Sequence, residues 1–138
     1  MNAGYTVLET RGAAAKLFEL VIEGEAIAQN GWKMAFRGRR TPYIFDPLSK
    51  EKKTLKKKIK EAIQPYNVVT PLFKNTFLKV QVSFFLKRAT SKDLDNMAKF
   101  LLDSLEGAAY DNDKHIVDLH LVKSTLNSPK TIITISSI

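Results

Sequence analysis

Residues 77–123 read FLKVQVSFFLKRATSKDLDNMAKFLLDSLEGAAYDNDKHIVDLHLVK, and three periodicities follow one another within them. From Phe77 to Lys87 the apolar residues alternate. Leu78, Val80, Val82, Phe84 and Leu86 share one side, and Phe77, Lys79, Gln81, Ser83, Phe85 and Lys87 the other, the period of a strand with one buried face. After a polar bend over residues 88–92 the period changes. Leu94, Met97, Leu101 and Leu105 recur at helical spacing up to about Glu106, and Gly107 can take the left-handed conformation that ends a helix. A second alternation over residues 116–123 puts Val117, Leu119 and Leu121 on one face. The stretch is strand, helix, strand.

The flanking sequence adds to this unit. Asp46-Pro47 reads as a helix start, because the Asp can cap free N–H groups and Pro needs no donor at the first helical position. The helix is predicted to run to about Ile63, with Leu48, Leu55, Ile59 and Ala62 on one stripe. Lys50, Lys52, Lys53, Lys56, Lys57, Lys58 and Lys60 are assigned to the opposite side, as a surface that tracks a phosphate backbone or as a solvated face. Residues 17–22 alternate as a strand ended by Glu23-Gly24-Glu25, and residues 131–135 form a short last strand. Residues 30–43 read as a loop dense in cations. Residues 1–16, small and polar, read as a flexible N-terminal arm or tag remnant. The pattern predicts one α+β domain over residues 17–138, with helices packed on a mixed or antiparallel sheet.

With 138 residues, 44% hydrophobic and 26% charged, the chain can bury a core. The absence of cysteine excludes disulfides and thiolate zinc sites. No apolar run approaches the roughly 18 residues of a membrane span, and no secretory leader is expected. A cytoplasmic, nucleoid-associated location follows as the default. The 22 Lys and Arg against 14 Asp and Glu give a net charge of +8, which attracts polyanions, nucleic acid first.

Within the central stretch, Asp93 and Asp95 stand at the strand-to-helix junction. Lys99 lies one turn after Asp95 on the same face, and Asp103 one turn further. Asp111-Asn112-Asp113 leads into the next strand, and a short helix between two strands is expected to return Asp113 to the junction. Carboxylates gathered at one point stay ionised beside a cation, and hard oxygen ligands suit Mg²⁺ or Mn²⁺. Such an ion polarises a phosphate and activates water, while a nearby lysine can stabilise transition-state charge. Simpler roles are open for each residue. Asp93 or Asp95 can cap the helix, Asp95–Lys99 and Lys99–Asp103 can be surface ion pairs, and Asp111 and Asp113 can form a turn.

Asp93-Leu94-Asp95-Asn96-Met97-Ala98-Lys99, then Asp103, then Asn112-Asp113 ahead of Ile116-Val117-Asp118 and Lys123, resembles the signature of the RusA family of Holliday junction resolvases. The likeness is close over about 35 residues in the C-terminal half and loose before it. It implies a homodimeric, Mg²⁺-dependent endonuclease that cuts four-way DNA junctions by paired symmetric nicks. It also implies catalytic roles for Asp93, Asp95, Lys99 and Asp113, with the three carboxylates as metal ligands. An Asn-Asp pair replaces the family's Asp-Asp turn, with Asp113 aligned to the catalytic member and Asp111 as the fallback. Lys92 stands where many members have proline.

For DNA, Arg88 and Lys92 flank the acidic pair and are the first candidates to position phosphates. Arg37, Arg39 and Arg40 come next, with Phe36 and Tyr43 able to stack on bases and Trp32 read first as a core residue. His115 and His120 are weaker candidates as ligands or bases. Beside the junction resolvase stand a nuclease of other branched DNA and a non-catalytic basic nucleic-acid-binding protein. The last predicts binding indifferent to Mg²⁺.

Overall fold

The computed structural model describes residues 5–10, 17–29, 33–36, 42–63 and 71–138, with side chains of residues 17–29, 46–62 and 71–138. Strands β1 (Tyr5–Thr10), β2 (Leu17–Glu23), β5 (Leu78–Leu86), β6 (Ile116–Thr125) and β7 (Lys130–Ser137) form a five-stranded sheet in the order β1-β2-β7-β5-β6. Strands β3 (Lys33–Phe36) and β4 (Pro42–Phe45) pair antiparallel as a separate ribbon. The helices are α1 (Ser49–Ile63) and α2 (Leu94–Leu105). This is the expected α+β domain, and its sheet is mixed: β5 runs parallel to β6 and antiparallel to β7.

The alternation in β5 decides which face is covered. Leu78, Val80, Val82, Phe84 and Leu86 are all buried, and the register places Ile133 and Ile135 of β7, then Phe18 and Leu20 of β2, on the same side. Met97, Leu101 and Leu105 of α2, Ile59 of α1 and Tyr110 close over that layer. Helix α2 ends at Gly107, whose φ of 88° any side chain would strain, and whose N–H reaches the Tyr110 carbonyl at 2.7 Å.

Within the cation-dense stretch 30–43 and just after it, Lys33–Phe36 and Pro42–Phe45 make the ribbon, and within residues 1–16, Tyr5–Thr10 form strand β1 on β2. Helix α1 begins three residues past Asp46, whose Oδ1 accepts the Leu48 N–H at 2.9 Å.

Lys52, assigned to the solvated side, points inward. Its Nζ donates to Asp46 Oδ2 at 2.6 Å and to Asp103 Oδ2 at 2.8 Å, and its side chain is 11% exposed. Gln29 Nε2 adds a bond to Asp46 Oδ1 at 3.0 Å, while the Gln29 N–H donates to the Asn96 carbonyl at 3.0 Å. One buried lysine thus fastens α1 to α2, and its acid is tied to the first turn of α2. Burial alone would raise the Asp46 carboxyl; hydrogen bonds from Lys52, Leu48 and Gln29 and the Lys52 charge outweigh it and hold Asp46 below its usual 3.8.

A carboxyl held low when folded stabilises fully above its unfolded value and loses that contribution as pH falls through the folded one. Asp46→Asn is therefore expected to lower the urea midpoint most at neutral pH, with the gap from wild type closing below pH 3.8. Lys52→Met, which strands buried Asp46 without a counter-charge, is expected to cost about 3 kcal/mol in the same titration at pH 7.

Candidate active site

Strand β5 delivers the chain to a short 3-10 turn, Ala89–Ser91, and then to Asp93 at the N-terminus of α2. Two ties hold this junction. Lys92 Nζ donates to the Ala26 carbonyl, and Lys123 Nζ, from β6, donates to the Lys92 carbonyl at 2.9 Å. The positive end of α2 favours negative charge there.

Asp93 occupies the N-cap position, yet its side chain makes no capping bond. Among the described residues its carboxylate accepts only a long 3.5 Å hydrogen bond from Asn96 Nδ2. Asp95 and Lys99 are exposed, and among the described residues neither makes an ion pair. The surface pairs open to them at four-residue spacing are not formed. Asp103, read as extending their stripe, is instead held by Lys52.

Asp113 does not return to this junction within one chain. Because β5 and β6 are parallel, α2 must carry the chain back along the sheet before β6 can start. Its 12 residues rise roughly 18 Å at about 1.5 Å each. Asp113 accordingly stands beyond the far end of α2, where its N–H donates to Glu106 Oε2 at 3.0 Å. Among the described residues no three Asp, Glu or His side chains gather closely enough to hold a metal ion.

At that far end Asp111 has a structural role. The Asn75 N–H at 3.0 Å, and less strongly His115 Nδ1 at 3.1 Å, hold its carboxyl below the usual range. Asn75, at φ 48°, makes the turn that aims this N–H. Asp113 is exposed, and no hydrogen bond to its carboxylate is formed among the described residues. Tyr110 lies beneath, donating to the Leu102 carbonyl at 2.6 Å; burial, then the charges of Asp113, Glu106 and Asp103, push its hydroxyl far up, so it stays neutral. His115 is committed to Asp111, and His120, 62% exposed, pairs with Asp118.

Of the expected DNA contacts, Arg88 is exposed beside the junction, while Lys92 is half-buried with its ammonium bound to Ala26. Arg37, Arg39 and Arg40 lie outside the described residues. The sequence reading missed Lys123 and Gln29 as supports of the junction. The signal for Lys123 was its place at the end of a strand in the quoted motif; Gln29 offered none.

The geometry defines an α+β protein with an acidic pair and a free lysine at the head of the helix that joins two parallel strands. The family described as Endodeoxyribonuclease RusA matches residues 33–136, and the chain belongs to that family. It is an endodeoxyribonuclease, a hydrolase acting on DNA. No curated protein matches the chain. Among the described residues no helix is long and apolar enough to cross a membrane.

The two ties at the junction can be measured. Lys123→Met removes a charged donor to a half-buried carbonyl, so a loss of about 1.5 kcal/mol is expected. Amide hydrogen exchange should rise over residues 93–96 and not around Asp113.

Proposed function

We propose that the chain resolves four-way DNA junctions as a homodimer, by paired symmetric nicks that depend on Mg²⁺ or Mn²⁺, with Asp93, Asp95, Lys99 and Asp113 as its catalytic residues. One observation carries this reading. Those four side chains are exposed without an ion pair among the described residues, while neighbouring Asp46, Asp103, Asp111 and Lys52 are all committed to structural contacts. Four charged groups in a family-matching pattern, each free of a structural task, fit groups reserved for substrate and metal.

The separation of Asp113 from the acidic pair calls for two copies. Strand β6 is the edge of the sheet, and it exposes Val117, Leu119 and Val122, a liability for an unpaired strand. Two β6 edges related by a two-fold axis would pair antiparallel, setting the start of each strand against the end of the other. The start of β6 follows Asp113, and its end lies beside Leu86, close to the junction that carries Asp93 and Asp95. Each site would then take its acidic pair and Lys99 from one copy and Asp113 from the other, completing a set of hard oxygen donors suited to Mg²⁺.

Bound there, the ion supplies Lewis acidity and lowers the pKa of water. The chain's own residues do the rest. Asp93 and Asp95 would hold the cation. Lys99, one turn along, stabilises charge on the phosphoryl oxygens or orients the water. Arg88 positions an adjoining phosphate. Two sites related by a two-fold axis suit an opened junction of the same symmetry, and the paired nicks follow.

With a synthetic four-way junction and Mg²⁺, Asp95→Asn and Asp113→Asn are each expected to lower the nicking rate about 100-fold or more. Equal rates for wild type and Asp95→Asn would end the proposal, and fork and duplex substrates run alongside report selectivity. Mixing the two variants tests the shared site. Each mixed dimer then holds one site with both intact contributions, so nicking of a single strand should reappear. A site within one chain would stay silent in the mixture.

A further inference from the structure

The strongest charge on the described surface lies on α1. Of its seven lysines, Lys52 is buried between Asp46 and Asp103, and Lys56 is half-buried with its side chain 3.9 Å from where a Cβ on Gly107 would stand. Lys50, Lys53, Lys57 and Lys60 are exposed, and among the described residues no carboxylate pairs with them. Their spacing of three, four and three residues places them on one face. Like charges at such spacing disfavour a helix by a few tenths of a kcal/mol per pair. A face of this kind is poorly explained by helix stability.

Its direction is set by the neighbouring helix. Lys52 meets Asp103 and, four residues further along each segment, Lys56 lies at Gly107 just past the end of α2, so α1 and α2 run the same way. Asp46, just ahead of α1, is joined through Gln29 to Asn96 in the first turn of α2. Because Lys52 already meets Asp103 near the tail of α2, the ladder starts beside the second half of α2 and leads on past its tail, toward the end of the molecule that carries Asp113. From Lys50 to Lys60 it spans about 15 Å, the rise of roughly four to five base pairs.

We propose that Lys50, Lys53, Lys57 and Lys60 form a track for the phosphate backbone of a duplex arm, holding DNA that runs along α1 and past the tail of α2. The inference rests on the nuclease reading above and adds to it a second contact region, distinct from the residues at the scissile bond. Four flexible ammonium groups on one face carry no base-reading geometry, so the track binds duplex without regard to sequence. Its partner is DNA rather than an acidic protein surface, because a regular row of charges at near-constant pitch matches a regular polyanion.

The test is binding of a fluorescent four-way junction across a salt series, in Ca²⁺ so that affinity is read without relying on turnover. Replacing all four lysines with Gln should weaken binding roughly tenfold or more at low salt. The slope of log K against log[salt] should fall by about 3–4, close to 0.9 per phosphate contact. Lys53→Gln/Lys57→Gln should give about half that change, and four-fold replacement by Arg should retain the wild-type slope. Junctions with arms cut to a few base pairs should bind wild type and the Gln variant alike. An unchanged slope in both Gln variants, or an Arg variant as weak as the Gln variant, overturns the track. Failure of the wild type to nick junctions in Mg²⁺ would instead overturn the nuclease reading and leave these binding results standing.

Discussion

Two parallel strands side by side impose a condition on everything between them. The chain leaving the end of β5 must travel back to the other end of the sheet before β6 can begin, and α2 is the element that carries it. The head of α2 therefore lies at one end of the strands and the turn after its tail at the opposite end. Asp93 and Asp95 are fixed at the first, Asp113 at the second. The buried alternation of β5 and the apolar face of α2 hold this arrangement rigid, so no local adjustment brings the three carboxylates together in one chain.

Charge is sorted by the same framework. Helix α2 presents Asp95, Lys99 and Asp103 from its open side, but α1 lies against it and takes Asp103 through Lys52. Burial makes that choice exclusive: a lysine with an 11% exposed side chain needs compensating charge, and Asp46 and Asp103 provide it. At the tail of α2, Asp111 is likewise occupied by Asn75 and His115. The fallback ligand is thus distinguished from Asp113 by its task, although the two residues are only two positions apart. Structure divides a run of similar acids into those that hold the fold and those left open to solvent.

Much of this was legible in the sequence where one face of an element is buried. The alternation from Leu78 to Leu86, the helical stripe through Met97, Leu101 and Leu105, and the stop at Gly107 were all readable, because burial on one side leaves a period in the residue types. Lys52 was misassigned although a signal existed. It stands four residues after Leu48 and three before Leu55, squarely on the inward stripe, and a lysine there requires carboxylates from elsewhere in the chain. The place of Asp113 was misjudged although a signal existed there too. Strand, helix, strand is the ordinary route to a parallel pair, yet expecting Asp113 at the Asp93 junction presumed a return to the same end of the strands. The ribbon of β3 and β4 and the strand β1 were hidden because their pairing depends on partners and turns that local periodicity does not encode.

The separation of the acids has a chemical consequence on the proposed reading. Three carboxylates converging in a lone chain would repel one another whenever no cation was bound, and burying them would raise their affinity for protons instead. Split between the two ends of the strands, they stay exposed and apart. Repulsion would be met only when two copies came together, and the ion relieving it would bind at the same place. A divalent cation would then favour the dimer as well as the chemistry, since anything that binds only the assembled form stabilises it. Cleavage would be confined to a state in which two sites exist together, the state that a four-armed substrate with two strands to cut requires.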